Sequence, residues 1–297
     1  LAGKPHVSVF LAPLLPSARF PPPGFPHLGK VLNVLLWKIG GLVMDRMFLP
    51  PVNALRQAED LHLFRSAMGE VFLSRRLNLV ASSPSLFPQP ADWEDTIKMC
   101  GAFHLPEHRE QLQPPEDLQS FIRSGPPPVY MTFGSMSVGD PFVEGTIELL
   151  SEAVRLADCR AIIQTDSISP GDGTTSPDIF YLDRAEHHRV FPLCAAVVHH
   201  GGAGTSHTAS RAGCPSIVVE HVTDQAFWGG VLQRAGVAPA VLHRRTVNAA
   251  VLARAIRTVL ASSVMRDKAR VIGERMRQED GVSRAIALIE ERYRHDL

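Results

Sequence analysis

Short apolar runs alternate with longer stretches of helical spacing along most of the chain, and that alternation sets the predicted elements. Val7–Leu11 and Leu77–Ser82 read as buried strands. Between them lie a proline-dense loop from Pro13 to Pro26 and helical patterns over roughly 29–75. A second proline-marked loop runs from Pro84 to Pro90. Residues 105–128 are polar and proline-rich with one short helical piece, which predicts a linker. Beyond it, strands are predicted at Val129–Phe133, Ala161–Gln164, Ile179–Leu182, Ala195–His199 and Ser216–Val219. Helices are predicted at 141–157, 203–212, about 224–235, 248–261, 263–277 and 281–293. Strands alternating with helices of this length predict an α/β fold, a parallel sheet with helices on both faces. The expected division is a first domain at 1–105, a linker at 106–128 and a second domain at 129–297.

The most apolar stretch, Val31–Leu49, is interrupted by Lys38, Asp45 and Arg46, too much charge for a membrane span. Leu32, Leu35, Leu36, Ile39, Leu42 and Val43 recur at helical spacing, so the segment is expected to pack one apolar face on a core. Two alternatives stay open: a wall beside an apolar acceptor, or a peripheral membrane contact through 31–49.

Composition narrows the function classes. Lys+Arg is 30 and Asp+Glu is 30, a net charge of zero, so no basic excess exists to neutralise a nucleic acid backbone. A hydrophobic content of 45% speaks against disorder. Cys100, Cys159, Cys194 and Cys214 are widely spaced without a CxxC pair, which suits free thiols in a reducing cytoplasm better than disulfides or zinc. The N-terminus lacks the pattern of a signal peptide.

A doubly wound sheet binds ligands at the carboxyl ends of its strands. Three such ends carry suitable residues. After the strand VYMTF come Gly134 and Ser135, a glycine that allows close backbone approach and a hydroxyl donor. The second is His199-His200-Gly201-Gly202-Ala203-Gly204-Thr205, where a strand closes and a helix opens. Such a turn aims free amides and the positive helix end at one point, suited to a pyrophosphate. The spacing is neither GxGxxG nor GxxxxGK[ST], so neither a nicotinamide cofactor nor a P-loop is indicated. Adjacent strand residues point to opposite faces, which argues against a metal pair and predicts one histidine under the turn and the other facing the ligand. Third, Thr223-Asp224-Gln225 follows the strand SIVVE. Taken alone, Thr223 or Asp224 is a helix cap. Together with a phosphate turn about twenty residues earlier, Asp224 and Gln225 suit vicinal sugar hydroxyls.

VVHHGGAGT, RAGCPSIVVE and TDQAFW together resemble the signature of the family 1 glycosyltransferases of GT-B fold, most closely the sterol-type and bacterial secondary-metabolite branch. PPPVYMTFGS, HHRVFPLCAAVV and SVFLAPLLPSARFPPP extend the match over nearly the whole chain. The resemblance implies two Rossmann-like domains, the N-terminal acceptor domain incomplete, and a nucleoside-diphosphate sugar as co-substrate with no further cofactor. It implies that His200, counted back from the Asp224-Gln225 pair, contacts the donor diphosphate. Gly202, Ala203, Gly204 and Thr205 fall on the phosphate-cradling positions, Ser135 on the loop serine near the phosphates, and Asp224 and Gln225 on the pair that holds the sugar hydroxyls. Tyr181–His187 matches the base-binding stretch, with Leu182 and His187 in the expected donor set. The tryptophan and glutamine with which plant members grip uracil are absent, with Leu182 and Ala185 near those positions.

The resemblance also implies that the chain starts partway through the acceptor domain and carries no residue matching the family's catalytic base. The implied reaction is inverting transfer of a hexose from a UDP- or dTDP-sugar to a hydroxyl of an apolar acceptor such as a sterol or flavonoid, with no metal. The alternatives are an inactive nucleotide-sugar-binding fragment, a nucleotide-sugar epimerase of related fold, and a membrane-associated interaction protein.

Overall fold

In the computed structural model, residues 6–25, 28–104, 114–133, 144–165, 176–183 and 185–294 are described, without the side chains of Glu144, Thr223 and Asp224. The chain divides into two units, Leu1–Leu105 with Glu279–Leu297, and Pro106–Gln278.

The first unit holds strands β1 (Val7–Phe10), β2 (Leu77–Val80) and β3 (Ile97–Met99), and helix α1 (Lys30–Ala58). The strands form a parallel sheet in the order β1-β2-β3, with Val7 opposite Leu77 and Asn78 opposite Ile97. The predicted helical stretch 29–75 thus resolves into α1 and a single π turn at Ala67–Phe72. The last helix, Gly281–Tyr293, also belongs here: Ala285, Leu288 and Tyr293 pack with Leu77, Leu79 and Cys100. A Cβ on Gly281 would fall on the carbonyl oxygens of Gly101 and Ala102, so only glycine permits this approach. Glu279 accepts from the hydroxyls of Ser83 at 2.9 Å and Ser85 at 2.6 Å. The domain division therefore departs from the expected 129–297 at its C-terminal end, where helical periodicity could not reveal which sheet the helix covers.

Helix α1 corrects a second expectation. Its apolar stripe is exposed, with Val31 82%, Leu42 68% and Met47 63% accessible and Leu32, Leu35, Ile39 and Val43 also exposed. The opposite face is held by polar anchors. Asn33 donates to Ala18 O at 2.9 Å, Trp37 to Phe20 O at 2.7 Å, and Asp45 accepts from Ala67 N at 2.6 Å. These hydrogen bonds, with an edge-on contact of Phe48 on Phe72, tie the helix to its neighbouring segments. Among the described residues, no helix is long and apolar enough to cross a membrane.

The second unit is built on strands β4 (Val129–Thr132), β5 (Ala161–Gln164), β6 (Ile179–Leu182), β7 (Ala196–His199), β8 (Ser216–Glu220) and β9 (Leu242–His243). All neighbours are parallel, in the order β6-β5-β4-β7-β8-β9. This is the doubly wound arrangement, counted from β4, whose winding reverses between β4 and β7. Strand burial on both faces explains the near-continuous apolar runs. The helices are α2 (Glu116–Arg123), α3 (Glu144–Ala157), α4 (His187–Val190), α5 (Ala203–Ala212), α6 (Thr223–Ala235), α7 (Ala249–Ala261) and α8 (Ser263–Arg277), with α9 the Gly281–Tyr293 helix of the first unit. Helices α3 and α7 cover one sheet face through Leu150, Ala153, Leu252 and Ile256. Helices α2 and α5 cover the other through Leu118 and Ala209. The expected linker at 106–128 thus contains a helix whose Leu118 is fully buried in this unit's core.

Candidate functional site

The winding reversal directs attention to the ends of β4 and β7. Gly134 and Ser135, after β4, lie outside the described residues. The end of β7 is described in full. Ala196 and Val198 pack in one apolar cluster and Val197 in the other. By alternation His199 shares the face of Val197, opposite Thr132 of β4 and Val218 of β8. His199 is completely buried, whereas His200 is only partly so. The two histidines therefore separate as adjacent strand positions require.

Gly201 turns the chain with φ +89°, a conformation that side chains resist. A Cβ there would lie 2.8 Å from Gln225 O and 2.8 Å from Val218 Cγ1, so the turn is pressed between β8 and the start of α6. At Gly202 a Cβ would fall on His200 Nε2, which locates the imidazole over the N-cap of α5. That cap offers no side chain to the helix, and the first helical bond is Ser206 N to Gly202 O at 2.9 Å. The amides of Ala203, Gly204 and Thr205 precede that bonding pattern. Among the described residues, a methyl group added at Gly204 would meet nothing within 4 Å. A positive helix end, its first amides and an adjacent imidazole are groups whose chemistry suits a dianionic phosphate.

Gln225 takes a more specific part than the sequence implied. Its Oε1 accepts from His221 N at 2.7 Å and Val222 N at 3.2 Å, and the residue is buried. These two bonds engage its carbonyl oxygen. This amide oxygen thus caps the backbone N–H groups just ahead of α6, while the side chain of Thr223, an expected cap, lies outside the described residues. The side chain of Asp224 lies outside the described residues.

A third corner sits at the ends of β5 and β6. Gln164 Oε1 accepts from Tyr130 Oη at 3.0 Å and meets His187 Nε2 at 2.8 Å, while Gln164 Nε2 donates to Asp183 O at 3.2 Å. The His187 ring stacks on Phe191 at 4.7 Å and 13°. Leu182 packs into the apolar cluster below rather than outward, so its side chain belongs to the core. The structure brings His187, a residue the sequence singles out, together with Gln164, which it does not and whose signal is a polar residue closing the apolar strand AIIQ. Among the described residues, no group of three His, Cys, Asp or Glu side chains is arranged to hold a metal.

Burial, with smaller contributions from His200 and His188, lowers the His187 pKa to about 4. Burial, then His200 and His187, lowers that of His199 to about 3. Both are depressed below the unfolded value of about 6.5, so below that pH the unfolded chain binds more protons. Stability is therefore complete above pH 6.5 and lost as pH falls toward the folded values. From pH 7 to pH 5 the fully buried His199 alone removes about 2 kcal/mol. Urea unfolding at the two pH values should show that loss, and an unchanged midpoint would contradict it.

Comparison with known proteins bears on the family and the fold. Residues 148–284 match the EryCIII-like C-terminal domain family, named for erythromycin biosynthesis protein CIII. Sterol 3-beta-glucosyltransferase UGT80B1 of Arabidopsis thaliana is 30% identical over 293 residues, covering 96% of this chain and 46% of the plant protein. O-mycaminosyltylonolide 6-deoxyallosyltransferase of Streptomyces fradiae is 33% identical over 216 residues, 73% of this chain and 50% of that protein. The chain thus spans about half the length of these curated relatives. Among solved structures, the kitacinnamycin glycotransferase superposes with TM-score 0.64 at 19% identity, covering 81% of this chain and 60% of that one. The calicheamicin glycosyltransferase CalG4 gives 0.61 at 18%, covering 82% and 58%. These structural likenesses carry the GT-B fold, and the sequence relatives carry the kinship. The chain belongs to the family 1 glycosyltransferases of GT-B fold.

Proposed function

We propose that the second unit binds a UDP- or dTDP-linked hexose and serves as the donor half of an inverting transfer to a hydroxyl of an apolar acceptor, on the cytoplasmic side. The observation that carries this reading is the uncapped start of α5 with His200 over it. In the transfer, the acceptor oxygen forms a bond to the anomeric carbon as the bond from that carbon to the diphosphate oxygen breaks. The electron pair goes to the diphosphate, and the acceptor proton goes to a base that no residue of this chain is assigned to supply. Negative charge gathers on the β-phosphate, where His200 and the amides of 203–205 stabilise it without a metal. Gln225 and Asp224 are the proposed sugar contacts, and His187 with Gln164 the groups at the nucleoside end. Calorimetry with UDP-glucose and dTDP-glucose tests donor binding. Binding without turnover on a sterol or flavonoid would favour the second reading, a donor-binding fragment without catalysis.

The sterol and macrolide names of the relatives support an apolar acceptor. The exposed stripe of α1 supports a peripheral contact with an anionic bilayer through 31–49. Lys30, Lys38 and Arg46 are exposed, while Asp45 is turned to Ala67 N. The outward charge is therefore positive beside an apolar face. Co-sedimentation with phosphatidylcholine vesicles should rise when phosphatidylserine is added and fall by about tenfold or more in a Leu35→Asp, Leu42→Asp double variant. Equal pelleting by both proteins would remove this contact.

A further inference from the structure

We propose that His199, one residue before the phosphate contact, is a positioning residue that shapes the donor cradle through the backbone of Gly201. This role rests on the donor reading above. His199 Nδ1 accepts the Gly201 N–H at 3.1 Å, a bond that reaches over His200 from one side to the other. It stabilises Gly201 at φ +89°, the conformation that carries His200 out of the strand and over the N-cap of α5. It also withdraws the Gly201 amide from the ligand, so the free donors of the cradle begin beyond it, at the helix start.

Simple core filling does not account for an imidazole here. The residue is wholly buried on the sheet face of Val197 and Tyr130, which with Phe191 form an apolar cluster that asks for no polar group. Accepting through Nδ1 fixes the neutral tautomer with its proton on Nε2, and that buried Nε2 has no hydrogen-bond partner among the described residues. Tolerating half a ring's unmet bonding is a cost that apolar residues avoid. The Gly201 bond is what the imidazole supplies in return. Burial keeps the ring neutral across the working range, so the acceptor at Nδ1 is always available.

The test separates this role from packing. Phenylalanine at 199 fills the space and removes both ring nitrogens. Asparagine presents a carbonyl oxygen at the position of Nδ1, whereas glutamine reaches the position of Nε2. Titrating UDP-glucose and dTDP-glucose into the chain, His199→Phe is expected to bind the preferred donor at least tenfold more weakly. His199→Asn should recover affinity to within about threefold of wild type, and His199→Gln should not. Thermal melts recorded alongside should not rank the variants in the same order as their affinities. Wild-type affinity in His199→Phe, rescue by Gln rather than Asn, or losses that simply follow the melting temperatures would overturn the role. Failure of the wild-type chain to bind either nucleotide sugar would instead remove the donor reading, and this role with it.

Discussion

Gly201→Ala is expected to abolish measurable nucleotide-sugar binding and to destabilise the second unit by roughly 3 kcal/mol or more. Two independent costs meet at this position. The backbone sits at φ +89°, where an L side chain is strained by about 1–3 kcal/mol. The new methyl would also lie 2.8 Å from both Gln225 O and Val218 Cγ1. The first is backbone at the start of α6 and the second a side chain of β8, so relief requires the turn to move away from them. That motion tilts His200 and the first turn of α5 together, which removes the cradle rather than one contact. Gly204→Ala is the matched comparison. Its methyl meets nothing within 4 Å among the described residues and its backbone is helical, so folding should be unchanged or slightly improved. Chemical unfolding of both variants, with calorimetry, distinguishes strain at the turn from simple loss of a glycine. Similar stability for the two would rule out strain at Gly201.

His200→Ala is expected to leave folding intact and to lower transfer by about a hundredfold to a thousandfold in a full-length enzyme that contains this chain. The residue is partly exposed and its imidazole lies over Gly202, so its removal opens space at the surface of the turn instead of the core. On the proposed donor reading, what is lost is a donor to the charge that develops as the diphosphate departs. The amides of 203–205 remain, which is why the loss is partial. A kcat within a factor of about two of wild type would exclude His200 from this role.

Local pattern was informative wherever it coincided with the tertiary outcome. The strand-turn-helix of 196–212 was legible because an apolar run, a glycine pair and a left-handed Gly213 cap punctuate it. The separation of His199 from His200 followed from strand alternation alone. What failed depended on contacts between distant segments. That the stripe on α1 is exposed was not legible in its periodicity, which gives no sign of the bonds of Asn33, Trp37 and Asp45 to segments outside the helix. The attachment of α9 to the first sheet turned on Gly281 meeting Gly101 and Ala102. At the site, Gln225 stood out as a candidate sugar contact, but the bonds of its oxygen to His221 N and Val222 N were not legible, since a side chain's bond to backbone leaves no spacing signature. Gln164 was hidden for the same reason: its importance lies in joining Tyr130, His187 and Asp183 across three segments.

Whether the start of α5, with His200 above it, holds the diphosphate of a nucleotide sugar is tested most directly by calorimetry. UDP-glucose and dTDP-glucose are titrated into this chain with EDTA present. The expected result is saturable one-site binding of at least one of them by the wild type, weakened at least tenfold by His200→Ala and lost in Gly201→Ala. Failure of the wild type to bind either, or binding that both substitutions leave unchanged, would contradict it.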